Sequence, residues 1–133
     1  MIVGVGLDLV SVERVERLWR RHGERFLNRV FLPEELAEAL SRPRPAESLA
    51  ARFAAKEAFV KAFPGRAAIT QVGVVADPRP RLVYRGPLAE RVGELGIRGW
   101  VSLAHERGRA MALVVLERPS GASPAPGSSG PWP

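Results

Sequence analysis

The opening residues alternate: Val3, Val5 and Leu7 fall on one side of an extended chain, and Ile2, Gly4, Gly6 and Asp8 on the other. That period of two predicts a strand over residues 1–8 with Asp8 at its exit. The period then lengthens. Over residues 12–22, Val15, Leu18, Trp19 and His22 recur at helical spacing, Ser11 is suited to cap the first turn, and Glu13 lies within that turn. The opposite side of this helix carries Arg14, Arg17 and Arg21. Pro33, followed by Glu34 and Glu35, predicts a short helix running to Leu40, and Pro43 and Pro45 interrupt the chain after it. A longer helix is expected over residues 46–63. There Leu49, Phe53, Phe59, Val60 and Phe63 mark one apolar arc, and Pro64-Gly65 ends it.

Past Gly65 the pattern turns to strands. Residues 69–76 and 81–84 are apolar runs separated by the turn-forming residues 77–80. Pro87 opens a short helix that Gly96 closes, and residues 100–105 and 110–117 form a hairpin around 106–109. From 119 to 133 proline, glycine and serine dominate, which predicts a disordered tail with too little apolar surface to bury. A leading strand, a block of helices and a later run of strands predict an α+β fold, a largely antiparallel sheet packed against helices, in one domain over residues 1–118.

Composition narrows the function classes. No apolar run approaches the roughly 20 residues of a membrane span, so no membrane partner is expected. The first residues lack the basic leader of a secretory signal and the chain has no cysteine, which makes the cytoplasm the expected compartment. A net charge of +6 favours an acidic partner. Nucleic acid satisfies the charge, but no aromatic residues interleave with the basic ones on a strand platform and no groove-reading motif is visible. A small basic nucleic-acid-binding domain is therefore the alternative reading, and no nucleic-acid partner is expected. A non-catalytic scaffold would leave the chain's charged helix residues without a role. Of 20 basic residues only Lys56 and Lys61 are lysine, and both lie on the expected long helix, an exception that invites a role for a compact ammonium that a planar guanidinium would not fill.

Lys56 falls inside the apolar arc, so its ammonium must be paired or must reach solvent. Glu57 and Lys61 stand one turn apart at the edge of that arc, beside Ala50 and Ala54, where another element can approach closely. An isolated pair at this spacing is a solvated helix pair contributing about 0.3–0.5 kcal/mol. Asp8 adds a second carboxylate on a strand whose Gly4 and Gly6 leave room on the same face. It could join Glu57 as a hard oxygen ligand for Mg²⁺, or cap the helix that follows. No cysteine–histidine cluster suggests zinc.

Three segments together resemble a known family. Gly6-Leu-Asp8, running on to Arg14, is similar to its N-terminal signature; Phe53-Ala-Ala-Lys56-Glu57-Ala-Phe-Val-Lys61 is similar to its second; Val101-Ser-Leu-Ala-His105-Glu resembles its third. Order, spacing and length match the short 4′-phosphopantetheinyl transferases of the holo-acyl-carrier-protein synthase type over residues 1–118. The resemblance implies transfer of the 4′-phosphopantetheine arm of coenzyme A to a serine of acyl carrier protein, with release of 3′,5′-ADP. It implies that Asp8 and Glu57 bind Mg²⁺ with the coenzyme A pyrophosphate and that Lys61 contacts phosphate. Gly65 and Arg66 would belong to the coenzyme A loop, and Ser102 and His105 would lie near the nucleotide end. Arg14, Arg17 and Arg21 would hold the acidic helix of the carrier, and the chain would assemble as a homotrimer with sites between subunits. Three departures stand out: the glycine-rich loop after the second motif is shortened to Phe63-Pro-Gly-Arg66, Arg79 replaces a turn glycine, and Ala104 replaces a hydroxyl residue. Two carboxylates and an ammonium match a reaction that must neutralise a pyrophosphate and a leaving nucleotide. The base for the serine proton stays open among Glu57, Asp8 and a metal-bound water.

Overall fold

A computed structural model describes residues 1–119, so the expected tail, beyond Pro119, lies outside the described residues. The chain runs β1 (Ile2–Ser11), α1 (Val12–His22), α2 (Glu24–Val30), α3 (Pro33–Leu40), α4 (Pro45–Ala62), a 3₁₀ turn (Ile69–Gln71), β2 (Val72–Val75), β3 (Arg81–Tyr84), α5 (Gly86–Leu95), β4 (Arg98–Glu106) and β5 (Arg109–Glu117). This is the expected α+β architecture, divided into two antiparallel sheets: β1-β5-β4, and the pair β2-β3.

The local causes are specific. Ser11 Oγ accepts from the Arg14 amide and caps α1. Arg107 and Gly108 both have positive φ, the two-residue turn whose twist matches a hairpin, and Gly108 takes that conformation without a Cβ penalty. The Gly108 carbonyl accepts from the Val12 amide, tying the hairpin tip to the start of α1.

Several expectations are corrected. β1 continues three residues past Asp8, because it pairs with β5 as far as Ser11↔Arg109. Pro45 starts α4 instead of breaking the chain: a first-turn proline gives up an amide that has no helical partner there. Residues 69–71 form a 3₁₀ turn before β2. His22 is exposed, and α2 is a helix that the pattern did not announce. The largest correction concerns α4. It is buried nearly all round, including Ala50, Ala51, Ala54, Ala55, Ala58 and Ala62, because β1 and β5 lie along it while α3 and β2 close over it from elsewhere.

On the three-stranded sheet, Val10, Ala110, Ala112, Val114 and Leu116 point into the core. The other face is apolar and open: Val5, Leu7, Leu9, Met111 and Leu113 are each more than 40% exposed. Leu7, Leu113 and Ser102 share one cross-strand row, as do Leu9, Met111 and Ala104.

Candidate functional site

The site begins where β1 crosses α4. A Cβ on Gly4 would lie 1.7 Å from the Ala62 carbonyl oxygen, and one on Gly6 would lie 1.8 Å from that of Ala58. Strand backbone therefore rests on helix backbone, an approach that any side chain at those positions would prevent. Asp8 is the next residue on that face. Lys61, from the last turn of α4, reaches back along its helix and donates to Asp8 Oδ1 at 2.8 Å and to the Leu7 carbonyl at 3.0 Å. Glu57 lies one turn earlier on α4, half-buried, with no hydrogen bond or ion pair among the described residues. The small-residue edge of α4 is thus where another element arrives.

Lys56, one residue away, has a different environment. It is wholly buried, and its Nζ donates to Glu35 Oε1 at 2.5 Å, to the Val72 carbonyl at 2.5 Å and to the Ile69 carbonyl at 3.4 Å. Glu35 is equally buried; its Oε1 also accepts from the Leu32 amide at 3.0 Å and its Oε2 from the Val74 amide at 2.8 Å. Burial lowers the Lys56 pKa, while Glu35 opposes that shift.

Arg14, Arg17 and Arg21 are exposed along α1. The Arg14 guanidinium stands 5.7 Å from the centre of the Phe53 ring, one helical turn from Glu57, so the basic row leads toward the carboxylates. Gly65 and Arg66 follow α4 in an exposed loop, where Arg91 of α5 donates to the Arg66 carbonyl and lies 4.9 Å over the Phe63 ring.

Ser102 and His105 are not brought to this crossing within one chain. β4 is separated from β1 by β5, and the two residues project from opposite faces of β4. Ser102 lines a cavity of about 590 Å³ with Pro78, Pro80, Trp100 and Leu113 on the open face, where Trp100 Nε1 is buried with no partner among the described residues. His105 lines another of about 390 Å³ with Arg42, Arg44, Ser48 and Arg52. Arg42, Arg44 and Arg52 went unnoticed in the sequence; the one available signal was the basic pair flanking Pro43. Arg52 is buried and held by Glu38 and Ser48, with its Nε unpaired.

Comparison with known proteins adds an independent line. The sequence pattern of the 4′-phosphopantetheinyl transferase superfamily matches residues 4–84. A holo-[acyl-carrier-protein] synthase of Thermus thermophilus is 50% identical over 118 residues, covering 88% of this chain and 94% of the relative. The crystal structure of such a synthase from Neisseria meningitidis superposes with a TM-score of 0.80 at 37% identity, covering 88% of this chain and 99% of the other. The Helicobacter pylori synthase, solved in complex with coenzyme A, superposes with a TM-score of 0.73 at 27% identity, covering 85% and 99%.

Proposed function

The chain belongs to the 4′-phosphopantetheinyl transferase superfamily, in its holo-[acyl-carrier-protein] synthase branch, and from that premise we propose that Asp8, Glu57 and Lys61 are its reacting centre. The observation that carries this reading is the Lys61 Nζ to Asp8 Oδ1 contact at 2.8 Å, one helical turn from a Glu57 side chain that has no partner among the described residues, at a crossing that two glycines make possible. The substrate is coenzyme A. The serine Oγ of an acyl carrier protein forms a bond to the phosphorus bearing pantetheine, the bridging P–O bond breaks, 3′,5′-ADP leaves, and the serine proton passes to a base.

Mg²⁺ fits the donor set. Asp8 and Glu57 are hard oxygen donors. That suits an ion held by one or two carboxylates, with substrate phosphate and water completing its shell. When bound, it neutralises pyrophosphate charge. Lys61 orients Asp8 and presents an ammonium to the same phosphate. Glu57 is one candidate to take the serine proton, with Asp8 and a metal-bound water as the others. For the nucleotide end, Arg42, Arg44 and His105, with Glu47 among them, line a cavity suited to a phosphate, and Ser102 lines the separate apolar slot on the opposite face of β4. Arg14, Arg17 and Arg21 receive the acidic carrier helix.

We further propose that the site is shared in a homotrimer. The open apolar sheet face, which carries Ser102, supports self-association.

The test is direct: the protein, coenzyme A, Mg²⁺ and an apo acyl carrier protein are incubated and the carrier is weighed by mass spectrometry. A gain of one phosphopantetheine mass is expected, lost in the Glu57→Ala variant. An unchanged carrier mass would refute the proposal.

A further inference from the structure

The buried Glu35 and Lys56 take no part in the reaction just described. They are also a poor device for stability: a desolvated ion pair is often matched or bettered by apolar residues of the same volume. What the pair does have is geometry. Through Lys56 Nζ, α4 is bound at once to Glu35 of α3 and to the carbonyls of Ile69 and Val72, while Glu35 holds the Val74 amide of β2. Leu49, Phe53, Phe59 and the Arg52–Glu38 pair also seat α4, but six of its buried positions, Ala50, Ala51, Ala54, Ala55, Ala58 and Ala62, offer only methyl groups, which resist rotation of a helix about its axis weakly. A rotation of about 15° would move a carboxylate some 6 Å from the axis by about 1.5 Å. That is enough to spoil a phosphoryl-transfer geometry.

We propose that the Glu35–Lys56 pair is a positioning device: it sets the rotation of α4 and thereby aims Glu57 and Lys61 at Asp8. The inference rests on the reading of those three residues as the reacting centre. It predicts a defect centred on coenzyme A binding and turnover, since the arginine row that meets the carrier stands on a separate helix, α1, even though Arg14 lies over the Phe53 ring of α4.

The experiment uses the double variant Glu35→Gln/Lys56→Met, which removes both charges and nearly conserves volume. Fold is checked by circular dichroism. Steady-state kinetics and calorimetric binding of coenzyme A in Mg²⁺, without carrier, are measured below the melting transition. The expected result is a folded protein with kcat at least tenfold lower and weaker coenzyme A binding, while the KM for carrier is unchanged. A folded variant with parental kcat and coenzyme A binding would overturn the proposal, as would a joint rise in both KM values, which marks general loosening. Should the double variant fail to fold, Glu35→Gln alone is read by the same criteria. Glu57→Ala separates the two layers: full activity there refutes the reacting centre itself, whereas an inactive Glu57→Ala beside a fully active double variant refutes only the positioning role.

Discussion

Lys61 makes two contacts at once, with a carboxylate oxygen at 2.8 Å and a backbone carbonyl at 3.0 Å, and is otherwise half-exposed. A guanidinium is wider and binds oxygens side by side, so Lys61→Arg should fold normally yet turn over more slowly. Losing one electrostatic partner in such a transition state costs about 2–4 kcal/mol, or roughly 30-fold to several hundred-fold in kcat, with Lys61→Ala the worse. Parental turnover in Lys61→Arg would show that the geometry is not limiting. Titration provides a second prediction at this scale. Tyr84, the chain's one tyrosine, packs against Phe59 with ring centres 5.5 Å apart, and burial pushes its phenol above the ordinary 10.0. Above that pH the unfolded chain gives up a proton that the folded chain keeps, so this group's stabilisation is lost as pH rises. Lys56 has the opposite sign: its lowered pKa means that the folded state binds protons less tightly than the unfolded, whose value is 10.5, so its contribution rises with pH across that window. Urea unfolding midpoints between about pH 9 and about pH 11 should therefore fall less steeply in Tyr84→Phe than in the parent. That Lys56 must be paired or reach solvent was legible in the sequence, because it falls inside an apolar arc, and the structure takes the first course. The identity of the partner was not legible, since Glu35 is 21 residues away and looks like any acidic residue in a first helical turn.

At the scale of elements, α1 was legible, because Ser11 and the apolar spacing of Val15, Leu18 and Trp19 each carry a local signal. The same wheel misjudged α4. Alanine counts as neutral in such a pattern, so burial on the small-residue side leaves no trace until β1 and β5 are docked there. α2 was missed because it is seven residues long, starts at a glycine and has no side-chain cap. The α1 surface carries its own prediction. With Arg14, Arg17 and Arg21 solvent-facing and Arg14 beside Phe53, Arg14→Glu should raise the KM for carrier severalfold at low ionic strength, less so in high salt, and leave coenzyme A binding alone. Salt-dependent steady-state kinetics provide the check, and an unchanged low-salt KM would mark this face as merely solvated.

For the whole molecule, the open sheet face decides the next experiment. Leu113 lies at its centre on the middle strand and is 41% exposed, so Leu113→Glu should fold while disrupting the proposed trimer. Light scattering should report a monomer, with kcat/KM reduced more than tenfold if neighbouring chains complete the site; a fully active monomer would dismiss the shared site. The placement of Ser102 and His105 on opposite faces of one strand was not legible from a contiguous motif, because a motif records order along the chain and carries no account of which side of a sheet, or which subunit, each residue serves. The backbone-to-backbone seat of β1 on α4 bears on how such a chain can drift over generations. Core substitutions ordinarily reach a distant centre by swelling or shrinking the side chains that space one element from another. At Gly4 and Gly6 there are no side chains to swell, so repacking among the surrounding leucines, valines and phenylalanines can accumulate while the spacing between Asp8 and the helix stays the same. Mutational freedom in the interior is thereby uncoupled from the chemistry, with two glycines as the positions that cannot share in it.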